Sequence, residues 1–333
     1  MHGWLQRVWY GPGSAGLYLV PLSWFYRAVV AIRRHLFRWG FLSVIRVPCP
    51  VIVVGNVTVG GTGKTPLVLW LADQLSERGI RVGIASRGYG GRLGGGLRMV
   101  EPTDTAALVG DEPLLMRRRG QALVVVCRER SKAASRLVEE GADVVICDDG
   151  LQHLGLHRDM EIAVIDGRRR LGNGRMLPAG PLREPAARLG SVDWIVCHGG
   201  TPSPGEIRMQ LVGEQLCSLS GNLTARIGDF SGRRCHAIAA IGHPDRFFDT
   251  LRSAGIDVIP HPLPDHSDSH ARLREISDEG PVLMTEKDAV KCDASVHDNL
   301  WYLPVEAELD SSAEALVEAA VRLIAERGRG KEA

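Results

Sequence analysis

The sequence predicts an α/β protein: a doubly wound, mostly parallel sheet built around a phosphate loop, then a strand linker and a second, smaller α/β domain. Three observations carry that expectation. Short apolar runs alternate with helical patterns from residue 51 to residue 198, as in successive βαβ units. The octapeptide VGGTGKTP (59–66) sits between an apolar run and a helical pattern, which is the setting of a phosphate loop. After about residue 205 the texture changes, and a shorter α/β pattern begins near residue 235. A chain of 333 residues is long enough for two domains. The expected division is an N-terminal segment (1–46), a nucleotide-binding domain (47–206), a strand linker (207–232) and a C-terminal domain (233–333).

The elements follow in order. Residues 51–54 are a β-branched strand ended by Gly55, and PLVLWLADQLSERG is a helix stopped by Gly79. A strand reaches about residue 85, and the glycine-rich stretch 91–98 is a loop. GDEPLLMRRRG (110–120) is a helix with acidic first residues, ALVVVC (122–127) a buried strand, and 128–141 a helix. ADVVIC (142–147) is a strand running into Asp148 and Asp149, and 161–166 and 193–198 are two more. Residues 207–219 alternate like a connecting ribbon. Strands at 235–242, 256–260 and 281–285, with helices between them, make the smaller unit; LWYLPVEAEL and a helix over 311–327 close the chain.

Net charge is +1, and nothing global points to nucleic acid. Seven scattered cysteines without a C-x-x-C pair indicate reduced, mostly buried thiols. The charge distribution is more informative. No acid precedes Asp73, while Arg7, Arg27, Arg33, Arg34, Arg38, Arg46 and Lys64 do. From residue 22 to 39, Leu22, Phe25, Tyr26, Val29, Ile32, Leu36 and Trp39 share one helical face, and Arg27, Arg34 and Arg38 share another. Glycines and prolines interrupt the uncharged run 8–26, which argues against a spanning helix, and no small-residue cleavage site marks a signal peptide. An interfacial helix on an anionic membrane fits this pattern. Its rival is a helix packed on its own domain with a solvated basic face.

The phosphate loop is the strongest chemical signal. Gly60, Gly61 and Gly63 let the backbone turn its N–H groups inward around Thr62, and the helix beginning near Lys64, Thr65 and Pro66 adds its positive end. Lys64 is placed for the terminal phosphates and Thr65 for Mg²⁺. The strict pattern wants glycine at position 58, where Thr58 stands, so the loop is a variant. Asp148 and Asp149 end a strand, where such proteins hold their metal; adjacent side chains diverge, so one binds near the ion and the other orients a neighbour. Arg87 of SRGYGG is a phosphate clamp candidate. Asp111 of GDEP is either functional or a plain acid at a helix start. His261, His266 and His270 straddle two prolines and lack zinc-pair spacing; a loop presenting one catalytic histidine competes with a solvated loop. TEKD (285–288) has its lysine in the wrong slot for guanine reading.

GNVTVGGTGKTP, SRGYGG, GDEPLL, DDGLQH, LPAGPLREP, PDH and TEKDAVK, in that order, resemble the tetraacyldisaccharide 4'-kinase family across roughly residues 15–292. The resemblance implies ATP and Mg²⁺ as cofactors. It implies transfer of the γ-phosphoryl to the 4'-hydroxyl of a lipid A disaccharide precursor, giving lipid IVA, by a peripheral protein on the cytoplasmic face of a bacterial inner membrane. No obligate protein partner is implied. By motif it makes Asp111 and His266 the pair activating the hydroxyl, with Lys64 on the phosphates. Thr65, Asp148, Asp149 and Glu184 fall to the metal region; Arg87, Tyr89, Gln152, His153 and Arg183 to the substrate or phosphate path. Ser267 follows PDH where relatives often carry histidine or an aromatic, which keeps His261 and His270 as rivals. A membrane-cycling regulatory ATPase is the alternative, but its loop normally carries lysine where Val59 stands.

Overall fold

The computed structural model describes residues 2–11, 16–94, 96–264, 273, 275–292 and 299–329. Two helices open the chain, α1 (His2–Tyr10) and the longer α2 (Val20–Arg38). Then come β1 (Val51–Gly55), α3 (Lys64–Ser76), β2 (Val82–Ser86), β3 (Arg98–Met99), α4 (Ala106–Val109), α5 (Asp111–Arg119), β4 (Leu123–Val126), α6 (Arg130–Glu139), β5 (Val144–Asp148), β6 (Met160–Asp166), β7 (Trp194–His198) and β8 (Glu206–Val212). The remainder comprises β9 (Gln215–Ser218), β10 (Thr224–Arg226), β11 (Arg234–Ala239), α7 (Pro244–Ser253), β12 (Asp257–Pro262), β13 (Val282–Thr285), α8 (Glu286–Ala289), β14 (Leu300–Leu303), β15 (Glu306–Leu309) and α9 (Ala313–Arg329).

The larger sheet has nine strands in the order β15-β8-β7-β6-β1-β5-β2-β4-β3, parallel except for β3 and β15 at its edges. Its central strands are apolar on both faces because helices cover both. Ile52, Val54, Leu67, Leu71, Ile84 and Ile146 fill one core, while Val51, Val53, Ala85, Val145, Ala134 and Leu137 fill the other. The smaller sheet has the order β10-β9-β14-β13-β11-β12.

Two boundaries differ from the sequence reading. The expected linker 207–232 holds β8, which joins the larger sheet, and β9 and β10, which join the smaller one. The expected C-terminal domain 233–333 does not keep its last residues. LWYLPVEAEL divides between the sheets: Pro304 follows β14 of the smaller sheet, and β15 pairs with β8 of the larger one. Helix α9 follows, burying Leu316 and Ala320 in the larger core. Residues 306–329 therefore return to the nucleotide-binding body, and two connections join the sheets. They pass closely at residues 213 and 304, where a Cβ on Gly213 would come within 2.6 Å of the Pro304 carbonyl oxygen.

Helix α2 sits against the larger unit through a third face that the two-faced pattern did not separate. Ser23 Oγ donates to the Met176 carbonyl at 2.7 Å and Tyr26 Oη to the Arg183 carbonyl at 3.2 Å. Arg34 turns inward to Glu184 at 3.4 Å. Leu22, Trp24, Phe25, Val29, Ile32, Trp39 and Phe41 remain exposed. Among the described residues, no helix is long and apolar enough to cross a membrane.

Candidate active site

The topology brings the chemistry to one edge. The phosphate loop leaves β1, whose neighbours are β5 and β6, so Asp148 and Asp166 flank it from the carboxyl ends of those strands. This is where open α/β sheets bind ligands. The loop bends at Gly60 (φ 111°) and Gly63 (φ 89°), angles that only glycine adopts without strain. Val59 N–H donates to the Pro181 carbonyl at 2.9 Å, and Arg183 N–H to the Val57 carbonyl at 2.7 Å. LPAGPLREP is thus laid along the phosphate loop.

Lys64, Asp149 and Arg183 converge. Lys64 Nζ lies 3.5 Å from Asp149 Oδ1, and Arg183 Nη1 is 3.0 Å from Asp149 Oδ2. Asp149 has φ 48°, a left-handed turn that separates its side chain from that of Asp148. Burial alone would raise the Asp149 carboxyl, but Lys64 and then Arg183 outweigh it and bring it down to about 2. Asp148 is buried, and burial followed by the charges of Glu112 and Asp149 pushes its carboxyl up to about 7. Its Oδ1 has no hydrogen-bond partner among the described residues.

Gln152 ties the two loops together, donating from Nε2 to Glu184 Oε1 at 2.8 Å and to the Asn56 carbonyl at 2.9 Å. The buried Glu184 also faces Arg34 and Arg188, each at 3.4 Å from Oε2. His153 is half-buried; burial and then the charge of Arg130 bring its imidazole down to about 4, so it is neutral at pH 7. Asp111 begins α5 and is buried. Its Oδ1 accepts from Glu112 N–H at 3.1 Å, and Lys287 of α8 reaches its Oδ2 at 3.7 Å and Glu112 Oε1 at 3.0 Å. SRGYGG runs backbone to backbone with this helix start: a Cβ on Gly110 would lie 2.7 Å from the Tyr89 carbonyl oxygen. Arg87 and Tyr89 project from that loop and are exposed.

His266 and His270 lie outside the described residues. His261 stands on β12, with Nε2 2.9 Å from His236 Nδ1 and the two rings stacked. Several neighbours of the site were not singled out by the sequence. Buried Arg130 donates to the Asp148 carbonyl at 2.7 Å. Asp166 and His198 end β6 and β7, and Arg169, His243 and Arg246 gather beside them. The signal that marked Asp148, an apolar strand ending in aspartate, is repeated in EIAVID.

A family model for tetraacyldisaccharide-1-P 4'-kinase (LpxK) matches residues 15–322. The chain belongs to this family. Relatives named tetraacyldisaccharide 4'-kinase include one from Methylobacillus flagellatus, 44% identical over 96% of this chain and 97% of its own. Another, from Alkalilimnicola ehrlichii, is 46% identical over 96% of this chain and 95% of its own. Among solved structures, LpxK from Aquifex aeolicus in complex with ATP matches with a TM-score of 0.75 and 31% identity. It covers 93% of this chain and 100% of that one. The fold class and the family expected from the motifs are therefore those of the kinase, and the chain is a kinase of this family.

Proposed function

We propose that this kinase transfers the γ-phosphoryl group of ATP to the 4'-hydroxyl of tetraacyldisaccharide 1-phosphate while seated on the cytoplasmic face of the inner membrane. The observation that carries this reading is the sharing of one loop by two functions. Residues 176–184 hold the exposed aromatic helix α2, through Ser23 and Tyr26, and also supply Arg183 to Asp149 beside Lys64. An acceptor whose acyl chains stay in the bilayer would be presented next to the phosphate loop.

The chain's own groups have distinct tasks in this reading. The backbone N–H groups of 60–64 and Lys64 hold the nucleotide's phosphates and balance the charge that spreads over the transferring group. Asp111 takes the proton of the sugar hydroxyl, with His266 as its expected partner; such a base contributes roughly 10²–10⁴-fold. Arg183 and Arg87 orient phosphate oxygens, and Tyr89 and His153 border the acceptor path. The donor set fits a divalent cation: a buried carboxylate oxygen of Asp148 lacks a partner, and Thr65 stands at the start of α3. Asp148 and Thr65 would hold Mg²⁺, with Asp149 alongside. Both Glu184 oxygens already face Gln152, Arg34 or Arg188, so Glu184 acts in the metal region by orienting Gln152. Bound Mg²⁺ would supply neutralisation of the phosphate oxygens.

The test is purified protein with Mg-ATP and the disaccharide acceptor in detergent micelles, read by mass spectrometry. One added phosphoryl on the acceptor supports the reading; an unchanged acceptor mass refutes it.

A further inference from the structure

On the side of the phosphate loop away from Asp148, the smaller domain touches the loop's supports. Helix α7 enters there with His243 and Arg246. Arg246 Nη2 donates to Asp166 Oδ1 at 2.7 Å, and its Nη1 lies 3.3 Å from His198 Nδ1. That same His198 Nδ1 is 3.0 Å from the carbonyl oxygen of Thr62, inside the phosphate loop. His243 Nε2 lies 3.0 Å from Arg169 Nη1, and a Cβ built on Gly60 would be 3.9 Å from it.

The arrangement has a specific chemistry. Burial and then the Arg246 charge bring the His198 imidazole down to about 4; burial and then Arg169 do the same for His243. Both rings are neutral at pH 7. A neutral His198 can use Nδ1 once: it donates to the Thr62 carbonyl, or it accepts from Arg246. The loop and the smaller domain therefore share a single ring atom. Asp166 is held ionised: burial would raise it, but the Arg169 N–H, Arg246 and the Arg168 N–H outweigh that. Three further buried atoms here, Thr62 Oγ1, Asp166 Oδ2 and His243 Nδ1, have no hydrogen-bond partner among the described residues. Such groups cost free energy in a packed interior unless a water or a ligand meets them.

We propose that the smaller domain braces the phosphate loop from outside, with Arg246 as the positioning residue acting through Asp166 and His198, so that nucleotide affinity depends on this contact between the domains. In this proposal Arg246 acts on the loop rather than on the nucleotide, by fixing Asp166 and His198, the parts that shape Thr62 and Gly63. The proposal rests on the nucleotide-binding reading of the loop.

The experiment measures the Kd of the full chain for a non-hydrolysable ATP analogue with Mg²⁺, alongside the acceptor KM at saturating ATP. Arg246→Ala is expected to weaken the analogue about tenfold, as removal of a charge-assisted contact does, while the acceptor KM stays within about twofold. Arg246→Lys should restore part of the affinity, since a single ammonium replaces the guanidinium fork. In a His198→Ala background the Arg246→Ala effect should shrink, because the two act on one atom. Analogue affinity within about twofold of wild type in a folded Arg246→Ala protein overturns the proposal, as does full additivity with His198→Ala or an equal rise in acceptor KM. If Arg246→Ala does not fold, Arg246→Lys decides: unchanged analogue affinity overturns the brace and weakened affinity supports it. A wild-type chain that binds no analogue refutes the nucleotide reading itself, a different result from an unaffected variant.

Discussion

Gly63→Ala is the substitution whose consequence follows most directly from the geometry. Gly63 caps α3 with φ 89° and ψ 25°, a left-handed conformation that costs a non-glycine residue about 1–2 kcal/mol. An added Cβ would stand 2.7 Å from His198 Nδ1 and 3.1 Å from Met209 Cε. The ring cannot easily withdraw: it is buried, and its Nδ1 sits between the Thr62 carbonyl and Arg246. With carbon contacts settling near 3.5 Å, the loop has to shift by on the order of half an ångström or more. Misplacement approaching 1 Å at a phosphoryl-transfer site costs about 100-fold. We expect kcat/KM for ATP to fall on the order of 30- to 100-fold, with the melting midpoint lowered by roughly a few degrees by the same strain. Gly61→Ala is the internal control, because its Cβ would meet nothing within 4 Å; it should cost no more than about tenfold. Steady-state kinetics on both variants, with circular dichroism to confirm folding, decide the matter. Equal losses in the two variants, or near-wild-type activity in Gly63→Ala, would show that steric fit against His198 does not set the loop's shape.

Other expectations follow from the same geometry. Asp111→Asn should lower kcat by roughly 10²–10⁴-fold with little change in KM for ATP, since the residue acts on the hydroxyl proton; a large rise in the ATP KM would reassign it. Lys64→Ala should impair both nucleotide binding and turnover and, among the described residues, leave Asp149 paired with Arg183, measurable as weaker analogue binding. His198 and His243 have folded values near 4, below the ordinary histidine range. The unfolded chain therefore binds protons first, and the stabilisation is full above about pH 6.5 and lost as pH falls through 4. Each contributes up to about 3 kcal/mol, so His198→Gln should flatten the acid limb of a chemical denaturation series; an unchanged limb would contradict this. Replacing the exposed Trp24, Phe25 and Trp39 together with glutamate should abolish binding to anionic vesicles in flotation while leaving the fold intact. This is a sharper probe than deleting residues 1–45, which would also remove the Ser23 and Tyr26 contacts.

Much of the larger sheet was legible because its strands are buried on both faces and read as unbroken apolar runs: residues 51–54, 122–127 and 142–147 each hold a strand. The phosphate loop was legible for a different reason, since Gly60 and Gly63 occupy angles no other residue takes comfortably. The return of 306–329 was not. Pro304 is a single break inside an otherwise continuous pattern, and no local feature tells which sheet the next strand joins. The helix at 22–39 was foreseen, but a wheel of apolar and basic residues does not reveal that Ser23, Tyr26 and Arg34 face the protein while Phe25 and Trp39 face outward. Within the site, Asp148, Asp149 and Lys64 are neighbours along adjacent strand ends, so their meeting follows from the strand order. Asp166 and His198 are cross-strand partners at the ends of β6 and β7, so their meeting also follows from the strand order. Arg246 lies far along the chain, and only the docking of the smaller domain brings it to them.

The central claim is that one loop system delivers a nucleotide's terminal phosphoryl to a lipid held at a membrane surface. The measurement that tests it most directly is transfer of label from γ-labelled ATP, with Mg²⁺, in anionic vesicles carrying the disaccharide acceptor. The account predicts label in the extracted lipid. Label recovered only as free phosphate would contradict it and point instead to a nucleotide-hydrolysing regulator.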